Sequence, residues 1–270
     1  MSNVRILGAA ALAVMRRDLQ LFFSYRLRFV SQLFGTLFAV TLFYYVSRLV
    51  DVHEFPTHDA YFAYVVVGLA TMELLTATLH TVPSTLRGEL LSGTFERMVV
   101  SPFGPLGGIV SLTLFPMALA LVMLTVTLAV ATLVFGLPMH WSTVPLIIPV
   151  ILLGMLAFLP LALLIAAAVL IVKQAGNVAA LLISGLALAG GSFFPVSILP
   201  SAVRWISDVQ PRTPALELAR HELVGTAIAG SAWTATAKLA GFAVVLIPLS
   251  VLAISAAIRI CRARGTLIEY

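Results

Sequence analysis

Long apolar runs, each close to the length of a membrane-crossing helix, dominate the chain and are separated by short polar stretches. About 20 apolar residues suffice to cross the hydrocarbon core of a bilayer as a helix. The runs therefore predict an all-α polytopic membrane protein, one transmembrane domain over residues 1–270, with six transmembrane helices at 29–47, 61–82, 105–135, 144–172, 178–195 and 239–258.

A weaker apolar segment, 4–25, precedes the first predicted span and carries Arg16 and Arg17. Its apolar part is too short to span, so we expect an uncleaved amphipathic helix at the cytoplasmic membrane interface. A secretory signal peptide cleaved at Ala11-Leu12-Ala13 is the alternative. Cleavage there would place several arginines outside, against the positive-inside rule.

One charged and turn-rich stretch, Arg87–Pro102, interrupts the apolar first half of the chain. Gly93 permits a turn, and Thr94 has a hydroxyl able to cap a helix. Pro102 would end that helix, which predicts a short helix over 94–101. Helical spacing divides it into an apolar side, with Phe95, Met98 and Val99, and a charged part, with Glu96 and Arg97. An ordinary loop carrying solvated charges is the alternative.

A second break lies at Gly190–Pro195, where two glycines and a proline should interrupt the fifth span. Two short helices are predicted after it, 201–209 and 214–224. Irregular backbone near a membrane requires cover by protein or water, which favours a re-entrant hairpin over 196–225 beside a cavity or gate. An external loop anchored by Trp205 is the alternative.

Composition and charge agree with a membrane protein. Hydrophobic residues make up 61% of the chain and charged residues 10%, against about 25% in a typical soluble domain. On the predicted topology most basic residues are cytoplasmic, and those outside are Arg48, Arg204, Arg212, Arg220 and Lys238. This bias indicates six spans with both termini cytoplasmic, and the net charge of +5 reflects topology with no nucleic-acid partner.

Few side chains carry recognisable chemistry. Glu73 lies within a predicted span, where a carboxylate costs about 2 to 3 kcal/mol, so it is a candidate for a substrate path or a partner contact. The single cysteine, Cys261, excludes an internal disulfide, and His53 and His58 lie in a loop expected to be hydrated, so no metal site is expected. No Gly-x-x-x-x-Gly-Lys-(Ser/Thr) loop occurs, so ATP binding by this chain is not expected.

Two segments resemble the type-2 family of ABC transporter permeases. Residues 93–102, Gly-Thr-Phe-Glu-Arg-Met-Val-Val-Ser-Pro, resemble the family's Gly-Thr-Leu-Glu-x-Leu-x-x-(Ser/Thr)-Pro coupling segment. Gly191-Ser192-Phe193-Phe194-Pro195 begins a second segment that resembles the family's outer hairpin, and it continues with Leu199-Pro200, Trp205, Pro211, Pro214 and Arg220.

The resemblance implies a cytoplasmic coupling helix between spans 2 and 3, with Gly93, Thr94, Glu96, Arg97 and Pro102 coupling the chain to an ATPase. It implies a hairpin between spans 5 and 6, above the pathway. The candidates for a substrate path or gate are therefore Phe193, Phe194 and Pro195 of this hairpin, together with the aromatic residues Phe34 and Phe38 of the first span and Glu73 of the second.

The function so implied is that of a permease subunit of an ABC exporter in the cell (inner) membrane. Transport would be driven by two ATPase subunits that hold ATP and magnesium, beside a second permease copy or a sister permease. The chain itself would be no enzyme and would bind no cofactor. Membrane lipids would surround it, and its cargo would be amphipathic, lipid-like, drug-like or a lipid-linked glycan. An ion-coupled secondary transporter using Glu73 is the alternative, although only the second half shows a clearly broken helix.

Overall fold

The computed structural model describes residues 3–24, 26–50, 55–102, 104–139, 144–172, 176–228 and 230–264. His53 and Lys173 lie outside these ranges. Within them every regular element is a helix and no strand occurs, which confirms the predicted all-α class.

The helices of the described residues follow the chain in this order: α1 Asn3–Ser24, α2 Arg26–Leu49, α3 His58–Thr76, a π-helical turn Ala77–Thr81, α4 Val82–Leu91, α5 Thr94–Val100, α6 Gly104–Leu133, α7 Val144–Val172, α8 Gly176–Ala189, a 3₁₀ turn Val196–Ile198, α9 Ser201–Asp208, α10 Arg212–Val224 and α11 Ala232–Arg264.

Five helical stretches of the described chain are long and apolar enough to cross a membrane. They are Phe29–Leu49, His58–Leu91, Gly104–Leu133, Ile147–Ile171 and Ala232–Ala263. The fifth predicted span, 178–195, is helical only as far as Ala189. Gly191, with φ +75°, turns the chain there, and the 14 residues of α8 reach roughly 21 Å of a hydrocarbon core about 30 Å thick. The count of six spans therefore stays a prediction.

The second predicted span, 61–82, is part of a longer continuous helix, His58–Leu91. A π-helical turn interrupts its regular hydrogen bonding, and the Val82 N–H donates to the carbonyl of Ala77, five residues back. Pro83 explains the irregularity, because it has no N–H to donate to Leu79. The helix thus passes Pro83 and carries its end to the α4–α5 turn.

The main hydrophobic core joins α7 and α11, which pack along each other, to α4, α5 and α6. Fully buried side chains at its centre come from different helices and include Leu86, Phe95, Ile109, Leu112 and Leu239. Because Phe95 lies in this core, the short helix α5 is fixed to the bundle.

Helix α1 packs against α6 and α2. The Phe22 ring meets Phe29 of α2 at 5.2 Å and Phe115 of α6 at 5.6 Å between centroids. Asp18, one turn earlier, is also buried. The predicted interfacial helix is therefore part of the folded bundle, and its position at a membrane surface stays a prediction.

Candidate functional site

The turn between α4 and α5 depends on one glycine. Gly93 precedes α5 with φ +69° and ψ 4°, the left-handed conformation that residues with a β-carbon rarely adopt. A β-carbon built on Gly93 meets no atom within 4 Å. The requirement for glycine is therefore conformational and not a matter of space.

The expected capping role of Thr94 is wrong. The residue at the cap position is Gly93, and no side chain caps α5. The Thr94 hydroxyl instead donates to the carbonyl oxygen of Glu89 at 3.2 Å and to the Glu89 carboxylate. This hydroxyl bonds to a buried carboxylate five residues before α5 and does not cap the helix, and sequence spacing does not reveal such a partner.

Helix α5 has one buried and one exposed side. Phe95 and Met98 are 1% and 7% exposed, whereas Glu96 and Arg97 are exposed to solvent. Gly108 of α6 allows the close contact, because a β-carbon there would lie 3.1 Å from the Met98 sulfur. Ser101 then takes an extended conformation before Pro102, as proline requires of its predecessor.

A charged cluster joins α1 to the end of α4, directly before the α4–α5 turn. One Arg17 nitrogen lies 2.7 Å from Glu89, and two others donate to Asp18 at 2.8 and 2.9 Å. Burial raises the pKa of the Asp18 carboxyl above its ordinary value, although Arg17 opposes the shift. The sequence analysis did not select Arg17, Asp18 or Glu89 as site residues, because their proximity arises only from the packing of α1 against the bundle.

A cavity of about 440 Å³ lies between α1, α2, the α3–α4 helix and α6. Arg17, Asp18 and Glu89 line it, and so does Glu73 of α3. The π-helical turn lies in its wall and contributes Ala77 and Thr81. The predicted site residue Glu73 thus shares one cavity with the charged cluster beside the turn.

Glu73 has neutral hydrogen-bond partners on α2. The Thr36 hydroxyl donates to its carboxylate at 3.5 Å, and the Gln32 side chain also bonds to it. Among the residues described, the ion pairs are Arg17–Asp18, Arg17–Glu89 and Arg48–Asp59, and none involves Glu73.

The two aromatic residues predicted to line a path do not meet Glu73. Phe34 and Phe38 are 67% and 69% exposed, whereas Gln32 and Thr36, which do meet it, lie on another side of α2. The structure therefore separates these two candidates from the cavity.

The remaining candidates, Phe193, Phe194 and Pro195, are half-buried in the turn after α8. The Phe193 ring stacks on Phe43 of α2, with centroids 5.4 Å apart and planes at 11°. This turn and α10 lie beside the N-terminal half of α3, whereas the cavity borders its C-terminal half.

Two buried arginines of α10 hold that turn against α3. Arg220 donates to the Tyr64 carbonyl at 3.0 and 3.2 Å and to the Ser192 carbonyl at 3.0 Å, and its guanidinium lies 3.2 Å from the centre of the Tyr64 ring. Arg212 donates to the carbonyls of Ala187 at 3.1 Å and Gly68 at 3.4 Å, and to the Ser192 hydroxyl.

These arginines are 1% and 4% exposed, and within the described residues neither forms an ion pair. Burial lowers the pKa of Arg212 to about 9, with a further contribution from the charge of Arg220. Burial likewise lowers the pKa of Arg220 to about 10. Sequence reasoning placed both residues on the outer side of the membrane and did not predict their burial, because a count of charges does not reveal hydrogen bonds from a guanidinium to backbone carbonyls.

Cysteine, histidine and carboxylate side chains of the described ranges form no group of three that could hold a metal ion.

Comparison with known families matches the chain, over residues 6–224, to a model described as ABC-2 type transporter. The chain belongs to the ABC-2 type transporter family. The match covers α1 to α10, including the α4–α5 turn, the cavity wall and the arginine pair. A comparison with curated proteins gave no match.

ABC-2 family membership and the five apolar helices make the chain a multi-pass membrane protein and an ABC transporter permease. Permeases of this family are transporter membrane subunits that generally work with an ABC ATPase.

Proposed function

We propose that the chain is the permease subunit of an ATP-driven exporter, and that α5 docks on a separate ATPase. The observation that carries the proposal is the two-sided character of α5. Phe95 and Met98 fix the helix in the core, and Glu96 and Arg97 are left exposed at its surface. A movement of the ATPase bound to this surface is transmitted to α4 and α6, because α5 packs against both helices and cannot move independently of them.

The remaining parts of the assembly follow from the same proposal. Two ATPase subunits hold the ATP and magnesium, and a second permease copy or a sister permease completes the membrane part. The chain lies in the inner membrane with both termini cytoplasmic, and the bias of basic residues supports this orientation. The cargo is an amphipathic, lipid-like or drug-like molecule or a lipid-linked glycan, and the amphipathic cavity of about 440 Å³ favours the smaller amphiphiles.

Family membership also bears on the competing hypothesis of a secondary transporter using Glu73. A chain that belongs to the ABC-2 family has an ATPase partner as its expected energy source, so ion coupling through this carboxylate is not required.

Replacing the exposed carboxylate of α5 tests the proposal. Loss of one partner from a buried charge pair costs about 2–5 kcal/mol, roughly 30-fold to several-thousand-fold in docking. Glu96→Ala should therefore abolish transport-stimulated ATP hydrolysis in the reconstituted complex, while the permease still folds and inserts. The matched control is Asp208→Ala, which removes an exposed carboxylate from α9. Equal stimulation in both variants would contradict docking through Glu96.

A further inference from the structure

We propose that the cavity between α1, α2, the α3–α4 helix and α6 binds amphipathic molecules that carry an ammonium group, with Glu73 as their anionic contact. The proposal rests on the proposed export function and narrows its substrate class.

The dimensions and walls of the cavity fit a small amphiphile. Its volume of about 440 Å³ lies within the range of roughly 300–1,000 Å³ that is usual for small-molecule sites. Apolar side chains from three helices form much of the wall, namely Leu21, Phe22, Ala77, Phe115 and Leu119. An alkyl chain or a ring system can leave water on these surfaces.

The charges of the cavity wall favour a cation over an anion. Among the residues that the structure describes, three carboxylates, those of Asp18, Glu73 and Glu89, line it together with one guanidinium, that of Arg17. The guanidinium already contacts both Asp18 and Glu89. An anionic headgroup would therefore meet an excess of negative charge, whereas a cation would reduce it.

Glu73 is the carboxylate left for a ligand. Within the described residues its contacts are the neutral groups of Thr36 and Gln32, and the hydroxyl contact, at 3.5 Å, is long. An ionised carboxylate in an apolar surrounding is strongly stabilised by a cation at contact distance. Gln32 and Thr76 also line the cavity and offer oxygen atoms to the other protons of a primary ammonium.

A metal ion is a poorer match for the same carboxylates. Divalent cations need several oxygen ligands gathered around one point. In the described part of the chain no three such side chains come together in that way. The carboxylates are instead spread along the wall, as suits a ligand with one charged end and an apolar body.

Binding to the purified permease alone tests the proposal, because no ATPase is needed. The protein would be held in an uncharged maltoside detergent and titrated with a fluorescent dodecylammonium probe, with neutral and sulfate probes of the same chain length for comparison. We expect saturable binding of the ammonium probe at least tenfold tighter than that of the other two. Equal affinity for the three headgroups would overturn the proposal.

Glu73→Gln keeps the size and hydrogen bonding of the side chain and removes its charge. The ammonium probe should bind this variant at least tenfold more weakly, while the neutral probe binds as to the parent chain. Asp208→Asn, which removes an exposed carboxylate from α9, is the matched control and should bind as the parent does. Unchanged ammonium affinity in Glu73→Gln would overturn the assignment of Glu73.

Competition distinguishes the two sources of such a ligand. Displacement of the probe by micelle-soluble phosphatidylethanolamine, but not phosphatidylglycerol, would identify a lipid headgroup as the ligand. Resistance to both lipids would identify a free amphiphilic amine. A failure of Glu96→Ala to uncouple ATP hydrolysis would count against the export proposal and leave this binding result intact, so the two failures are separable.

Discussion

At the scale of single residues, Gly68 sets how closely α3 approaches the turn after α8. A β-carbon at Gly68 would lie 2.1 Å from the Ser192 carbonyl oxygen and 3.3 Å from an Arg220 nitrogen. Both atoms belong to the hydrogen-bonded contact between the turn, α3 and α10. The missing side chain is therefore a condition for the burial of Arg220.

Gly68→Ala should accordingly destabilise the protein. Overpacking of this kind typically costs about 1–3 kcal/mol, which corresponds to a loss of roughly 2–10 °C in melting temperature for a chain of this size. Thermal unfolding in detergent measures the change. Gly35→Ala is the matched control, since a β-carbon at Gly35 of α2 meets nothing within 4 Å. Similar melting temperatures for the two variants would show that the close approach is not limiting.

For single residues, the sequence predicted burial and exposure that depend on local helical spacing, and it missed hydrogen-bond partners that depend on tertiary contacts. The burial of Phe95 and Met98 and the exposure of Glu96 and Arg97 follow from helical spacing and agree with the structure. The partner of Thr94 does not follow, because local spacing does not reveal that the Glu89 carboxylate is buried.

At the scale of elements, the α4–α5 turn is held in place from two directions. Arg17 of α1 contacts Glu89 before the turn, and Phe95 enters the core after it. The Arg17 side chain is 38% exposed, so this ion pair contributes about 1 kcal/mol or less. The burial of α5 is therefore the main constraint on the turn, and the ion pair makes a smaller contribution.

The conformation of Gly93 gives a prediction about this element. Gly93→Ala should lower the melting temperature, because a left-handed conformation costs a residue with a β-carbon roughly 1–2 kcal/mol. Gly93→Asn should lower it less, because asparagine tolerates this conformation. Both side chains have space, since no atom lies within 4 Å of the β-carbon position, so the comparison isolates backbone conformation. Equal losses would point to a steric cause instead.

Long apolar helices were easier to predict than interrupted ones. The predicted span 144–172 coincides with α7, Val144–Val172, because an uninterrupted apolar run of this length is typical of a membrane-crossing helix. The range 178–195 combined a short helix with the break predicted at Gly190–Pro195, and α8 ends at Ala189, directly before that break. The cavity was not predicted, because local spacing does not determine how α1, α2, the α3–α4 helix and α6 pack around it.

At the scale of the whole molecule, α7 and α11 run in the same direction. The Cys261 sulfhydryl near the end of α11 contacts the carbonyl of Leu170, near the end of α7, at 3.3 Å. The chain must therefore return between Val172 and Ala232. Helix α8 runs back towards the beginning of α11 and reaches Gly68 of α3, since Arg212 donates to the carbonyls of both Ala187 and Gly68. Helices α9 and α10 follow α8 and complete the connection to α11. This arrangement supports the predicted crossing by residues 178–195, which brings the number of crossings to six.

Cysteine labelling tests the predicted orientation of the chain together with the predicted crossing by residues 178–195. An impermeant maleimide should label Ser201→Cys in intact cells, and should label Val100→Cys and Ala263→Cys only after permeabilisation. All three positions are exposed, and the parent chain serves as the blank because Cys261 is 3% exposed. Labelling of Ala263→Cys in intact cells, with Ser201→Cys labelled only after permeabilisation like Val100→Cys, would rule out six crossings.

The arginine pair also bears on how the chain tolerates substitution. All but one of the acceptors named for Arg212 and Arg220 are main-chain carbonyls, at Tyr64, Gly68, Ala187 and Ser192. A change of side chain at these positions cannot remove a carbonyl, whereas loss of either guanidinium leaves buried oxygens with fewer partners. Related sequences should therefore keep the arginines without a compensating acidic partner, and the contact should leave no covarying pair of charges to detect.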